Sequence, residues 1–232
     1  MKKLFLIFAV LLFGAATLSA QNAFVGGHRA WTFALQGGTM YSINENRFTY
    51  GEHGHAADLW TWQGSAAIGY EFTEAMGVRV SVGYGKNVSA CNSPQTDWGF
   101  YPYQFKSVNA FVDGTLDLSR NYGKAWSFHP VLYAGIGLGH TYGFTDPKHP
   151  WQGQYMTFNN NVFGFRGGFI AEYDFTDWFG IYVDLCGEAY NDKYNGLQPT
   201  EQDQQGFKGY GGFSLDLRAM ASFGIIFRIN TK

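Results

Sequence analysis

The chain has 232 residues, 46% of them hydrophobic and 15% charged, with a formal net charge of −2. A near-neutral balance excludes nucleic-acid partners recognised through a strong basic excess. The 31 Gly, 22 Phe, 15 Tyr and 7 Trp against 16 Lys plus Arg point to packed strands rather than amphipathic helices.

Residues 1–20 read as a secretory signal peptide. Met1-Lys2-Lys3 is the basic start, Leu4 to Leu12 the apolar run, and Leu18-Ser19-Ala20 the small-residue site, with cleavage expected before Gln21. The apolar run is too short for a membrane anchor, and no Cys follows the cut to carry a lipid. Residues 21–28 are expected as a short periplasmic segment, 29–229 as a barrel, and 230–232 as a tail.

Beyond residue 20 no run approaches the roughly 18 apolar residues of a transmembrane helix. Period-two alternation recurs instead, the mark of strands with two different faces. It predicts eight strands, at 29–41, 59–72, 77–86, 105–118, 126–142, 161–175, 178–190 and 213–229. In the second, Trp60, Trp62, Ala66, Ile68, Tyr70 and Phe72 oppose Thr61, Gln63, Ser65 and Glu71. In the fourth, Val108, Ala110, Val112 and Leu116 oppose Asn109, Asp113, Thr115 and Asp117. The eighth sets Leu215, Leu217, Phe223, Ile225, Phe227 and Ile229 against Asp216, Arg218, Ser222 and Arg228. Eight is an even number that closes antiparallel without an edge.

A soluble barrel and a membrane barrel share this alternation with opposite faces outward. Three features favour the membrane form. Connections near 73–76, 120–125 and 176–177 are short, while those near 42–57, 87–104, 143–160 and 191–211 are long. Aromatics gather towards both strand ends, as at two lipid–water interfaces. Twelve strand charges lie opposite the apolar sets: Glu71, Arg79, Asp113, Asp117, Arg166, Glu172, Asp174, Asp184, Glu188, Asp216, Arg218 and Arg228. Arg29, Asp58 and Lys106 depart from that parity, and each is expected near a strand end where its head reaches water.

With these features the chain resembles the small outer-membrane β-barrel family that includes the OmpA transmembrane domain and OmpX, in its Bacteroidetes type, from about Arg29 to Ile229. The last strand, with Phe223, Ile225, Phe227 and Ile229, is similar to the signal by which the barrel-assembly machinery recognises its clients. The family favours a terminal aromatic, whereas here Phe227 is followed by five more residues. The resemblance implies an eight-stranded antiparallel up-and-down transmembrane barrel in the outer membrane, with periplasmic turns and termini and long extracellular loops. It implies contact with outer-membrane lipid and lipopolysaccharide. With the sequence stopping at Lys232, the cell-wall tethering of full-length OmpA is not expected.

An eight-stranded barrel has an interior just wide enough for side chains to fill it. The inward acids and arginines therefore predict a paired network that plugs the lumen, with Glu71 and Arg79 pairing across a short turn and Arg166 level with Glu188. A narrow proton or small-solute path is the alternative. Loop aromatics Tyr50, Trp98, Tyr101, Trp151, Tyr155 and Tyr194 suit an extracellular glycan or protein ligand, and equally suit packing among the loops. A lipid-modifying hydrolase or acyltransferase is the enzymatic alternative, but His140 has lipid-facing parity and no His-x-Ser pair occurs. His53-Gly54-His55 supplies two ligands, short of a metal site, so neither metal nor cofactor is expected. Cys91 and Cys186 are read as two unpaired residues, with a disulfide left open. The function expected is that of a non-enzymatic envelope protein acting through its loops.

Overall fold

The computed structural model describes residues 30–43, 59–93, 99–119, 127–145, 159–191, 193–196 and 215–230. The side chains of 43, 90–93, 99–102 and 230 are outside that description. The proposed signal peptide, the 21–28 segment and the loop residues Tyr50, Trp98, Trp151 and Tyr155 also lie outside it, as does the side chain of Tyr101.

Eight strands follow one another in chain order: β1 (Ala30–Ile43), β2 (Trp60–Glu71), β3 (Met76–Ser93), β4 (Gly99–Asp117), β5 (Phe128–Tyr142), β6 (Asn160–Thr176), β7 (Phe179–Asn191) and β8 (Leu215–Asn230). Each pairs antiparallel with the next, and β8 returns to β1, from Ala30 opposite Asn230 to Ile43 opposite Leu217. Closure gives every strand two hydrogen-bonded neighbours, which is what a sheet needs where water is absent. Among the described residues no helix is long and apolar enough to cross a membrane; the crossing is made by strands.

The barrel is apolar outside and polar within. Leu35, Ile68, Val80, Ile136, Leu138, Leu185 and Phe223 are 50–66% exposed on the outer wall. Asp113, Asp184, Glu188, Asp216 and Arg218 are at most 5% exposed on the inner one. A continuous apolar wall of this kind is far larger than the patches monomeric soluble proteins carry. Lipid is the solvent that suits it, and the fold is that of a transmembrane barrel.

Aromatic pairs ring the wall at two heights. Trp31 and Tyr70 (5.0 Å between ring centroids), Tyr173 and Phe175 (5.2 Å), and Phe179 and Phe227 (5.4 Å) lie near the short-turn end. Tyr41 and Trp60 (5.2 Å) and Trp62 and Tyr84 (5.6 Å) lie towards the long connections.

The connection expected at 87–104 proves to be mostly hairpin. β3 runs on to Ser93 and β4 begins at Gly99, with Asn87 opposite Phe105 and Ser89 opposite Tyr103. The outward positions of this extension mix Lys86, Asn92, Gln104 and Lys106 with Val88, Ala90, Phe100 and Pro102, so the lipid-facing alternation fades where the strands do not. Asn87, Ser89, Tyr103, Phe105 and Ser107 nonetheless keep the inward parity and are buried. The hairpin raises the barrel wall on one side and gives the lumen an upper storey.

Candidate functional site in the barrel interior

Inward positions on adjacent strands meet at rungs set by the ladder register. All twelve charges read as inward occupy the inner face, where they sort by height into three tiers. At the short-turn end Arg228 on β8 reaches across to three acids. Its Nε donates to Glu71 Oε1 at 3.3 Å and its Nη1 to Asp174 Oδ1 at 2.6 Å, and Nη2 bonds to Glu172. Beside them the His129 ring lies between two carboxylates, with Nδ1 3.0 Å from Asp117 Oδ2 and Nε2 3.2 Å from Asp174 Oδ2. Ser119 Oγ donates to Asp117 Oδ1 at 2.7 Å and lies 2.8 Å from His129 Nδ1.

Glu71, expected to pair with Arg79, is bonded to Arg228. In the β2–β3 ladder Glu71 stands opposite Gly77 and Arg79 opposite Gly69, so the two side chains start from different rungs. Arg79 is instead directly opposite Asp113 on β4.

The middle tier is built on Asp113, whose side chain has no exposed surface. Arg79 Nε donates to Asp113 Oδ2 at 3.0 Å. Arg166 grips the same carboxylate with two nitrogens, Nε at 2.7 Å from Oδ1 and Nη2 on Oδ2, and also bonds to Ser81. The planar guanidinium fork suits that bidentate geometry. Both cations lie over rings, Arg79 4.3 Å from the centroid of Tyr133 and Arg166 4.4 Å from that of Phe111. Tyr133 in turn donates its hydroxyl to Asp184 Oδ1 at 2.7 Å.

The upper tier centres on Arg218, opposite Glu188 in the β7–β8 ladder and bonded to it. Tyr190 donates to Glu188 Oε2 at 2.6 Å and accepts from Arg218 Nη2 at 3.0 Å. Tyr194, from the connection after β7, enters the mouth, stacks on Tyr190 at 4.3 Å and accepts a bond from Arg218 Nη1. Burial pushes the Tyr194 phenol above its ordinary value. A protonated hydroxyl can accept from Arg218 and still donate to Asn87 Oδ1, 3.3 Å away. The next residue, Asn195, is pinned by Tyr103, whose hydroxyl donates to its carbonyl at 2.7 Å, and by Asp216, which accepts from its N–H at 3.1 Å.

Sequence reasoning missed the upper storey. Tyr103, Phe105, Phe111, Val162, Tyr190 and Tyr194 form a buried apolar cluster that packs against Arg166 and Arg218. Phe111 shares parity with Asn109 and Asp113, so its inward direction was readable; an apolar residue on a polar face carried no other signal. Tyr194, read either as a ligand contact or as packing among the loops, is only 2% exposed and packs in the mouth of the barrel. Ser119 and His129 were also missed: Ser119 follows the predicted fourth strand and bonds to Asp117 and His129 close by in sequence, while the second carboxylate on His129, Asp174, comes from β6.

His140 is exposed on the outer wall, with Nδ1 2.8 Å from Asn161 Oδ1. Cys186 is a buried free thiol on the inner face. Among the described residues no group of three or more His, Cys, Asp or Glu side chains is arranged to hold a metal ion.

The fold is shared with solved bacterial barrels. The outer membrane protein OprG from Pseudomonas aeruginosa matches at TM-score 0.50 and 10% identity, over 88% of this chain and 98% of that one. A major outer membrane protein from Thermus thermophilus matches at TM-score 0.49 and 14% identity, over 86% and 99%. Neisserial surface protein A matches at TM-score 0.47 and 12% identity, over 87% and 97%. No family model and no curated protein sequence matches the chain. The likeness to OprG is one of architecture: an eight-stranded antiparallel barrel of the outer-membrane kind.

Proposed function

We propose that this chain is a non-enzymatic integral outer-membrane protein of the small OmpA/OmpX-like type, exported by residues 1–20, with its short turns and termini in the periplasm. Its interior is a structural plug, and its long connections are the working surface, contributing to envelope integrity and offering contacts to a glycan or protein. Insertion by the barrel-assembly machinery through the β8 residues Phe223, Ile225, Phe227 and Ile229 belongs to the same reading, as does the Bacteroidetes-type origin.

The observation that carries the plug is the three-tier filling of the lumen by four arginines, each bonded to at least one carboxylate. Buried ions in an interior this narrow are stable only when paired, and a paired, side-chain-filled lumen holds the wall rather than conducting through it. The alternatives are decided by one measurement. Planar-bilayer conductance of the refolded protein is expected to be closed in the wild type and leaky in Arg218→Ala and Arg166→Ala. Steady, ion-selective wild-type current would make the protein a narrow pore.

A further inference from the structure

On the outer face of the described strands, Lys86 and Lys106 are the only Lys, Arg, Asp or Glu residues. They are not scattered. Lys86 on β3 stands directly opposite Lys106 on β4. Like charges facing each other across a ladder repel and weaken the sheet, and neither lysine has an ion pair among the described residues. The next outward residues below them on β3 and β4 are Tyr84 and Val108; Tyr84 packs on Trp62 in the aromatic ring nearest the long connections. Two residues along a strand are about 7 Å, so the two lysines stand just beyond that ring, at the depth of lipid headgroups. Tyr142, opposite Lys106 on β5 and stacked on His140 at 5.6 Å, walls the other side.

We propose that Lys86 and Lys106 form a site for a phosphate group borne by a lipid of the surrounding outer leaflet. A doubly charged phosphate monoester between two facing ammonium groups turns their repulsion into two charge-assisted hydrogen bonds. The aromatic ring beneath sets the depth at which the headgroup meets them. The occupant is a lipid rather than a soluble anion, because the pair is on the outer wall directly above the apolar belt, where acyl chains pack. The inference rests on the orientation proposed above, with the long connections facing outward.

The test uses the full mature chain refolded in detergent, with native mass spectrometry of the bound lipid. Bisphosphorylated lipid A, the same lipid stripped of phosphate, and inorganic phosphate are the three probes. Wild-type protein is expected to retain the phosphorylated lipid at least tenfold more tightly than the stripped one, and Lys86→Gln/Lys106→Gln to lose that preference. Lys106→Glu gives an opposite readout: it replaces repulsion by an ion pair, so it raises resistance to urea in zwitterionic vesicles while abolishing phosphate-dependent retention. Equal retention of both lipids by the wild type overturns the proposal, as does displacement of the lipid by millimolar inorganic phosphate. Failure of the membrane reading looks different: neither wild type nor variant would enter phosphatidylcholine vesicles. Failure of the orientation alone would show as loops cleaved by protease on the periplasmic side of cells.

Discussion

Arg166 and Glu188 stand directly opposite each other on β6 and β7, yet the closest approach of their charged atoms is 4.0 Å and each is held by a different partner. Arg166 belongs to Asp113 and Glu188 to Arg218. Facing position in a ladder fixes where side chains start, and their length and the curvature of the wall decide where they end.

That division predicts two unequal couplings. A double-mutant cycle on Arg218→Met and Glu188→Gln is expected to give an interaction of about 1–3 kcal/mol, whereas one on Arg166→Met and Glu188→Gln gives less than about 0.5 kcal/mol. Equilibrium urea unfolding in lipid vesicles, followed by tryptophan fluorescence, measures both. Equal couplings would mean that the middle and upper tiers are a single network.

Asp113→Asn keeps the shape of the middle tier and removes the one carboxylate that Arg79 and Arg166 share. Two buried guanidinium groups are then left facing each other without the carboxylate they shared. Breaking a buried pair from one side costs about 3–5 kcal/mol, and here two pairs are broken at once. The same unfolding measurement should place this variant among the least stable of any single lumen substitution. A loss below about 1 kcal/mol would show that water hydrates the tier and that the lumen is open.

Gly224 on β8 underlies the Tyr182 ring, and a Cβ added there would collide with ring atoms Cζ and Cε1 and with the hydroxyl. Gly224→Ala is expected to cost about 1–3 kcal/mol by overpacking. In a Tyr182→Leu background the penalty should fall below about 1 kcal/mol, because the obstacle is gone. An undiminished penalty would place the fault in the backbone rather than in the ring.

The eight strands were legible because lipid outside and charge inside impose strict alternation, as in Trp60 to Phe72 or Leu215 to Ile229. The β3–β4 extension was not, since beyond the membrane nothing requires apolar residues on the outer face. The inward direction of the charged residues followed from parity alone. Their partners did not: Arg228 meets acids on β2 and β6, at sequence separations above 50 residues, through the tilt and curvature of the closed wall. His129 likewise joins Asp117 to Asp174, a meeting visible only once β4, β5 and β6 are side by side.

The seam between β1 and β8 is the longest-range pairing in the molecule, and β8 brings with it both Arg218 and Arg228. Until that strand docks, Glu71, Glu172, Asp174 and Glu188 lack the arginines that bond to them in the closed barrel. Completion of the wall and the pairing of these four acids are therefore one event. A cylinder missing its last stave is electrically as well as geometrically incomplete, and this couples correct closure to burial of the interior.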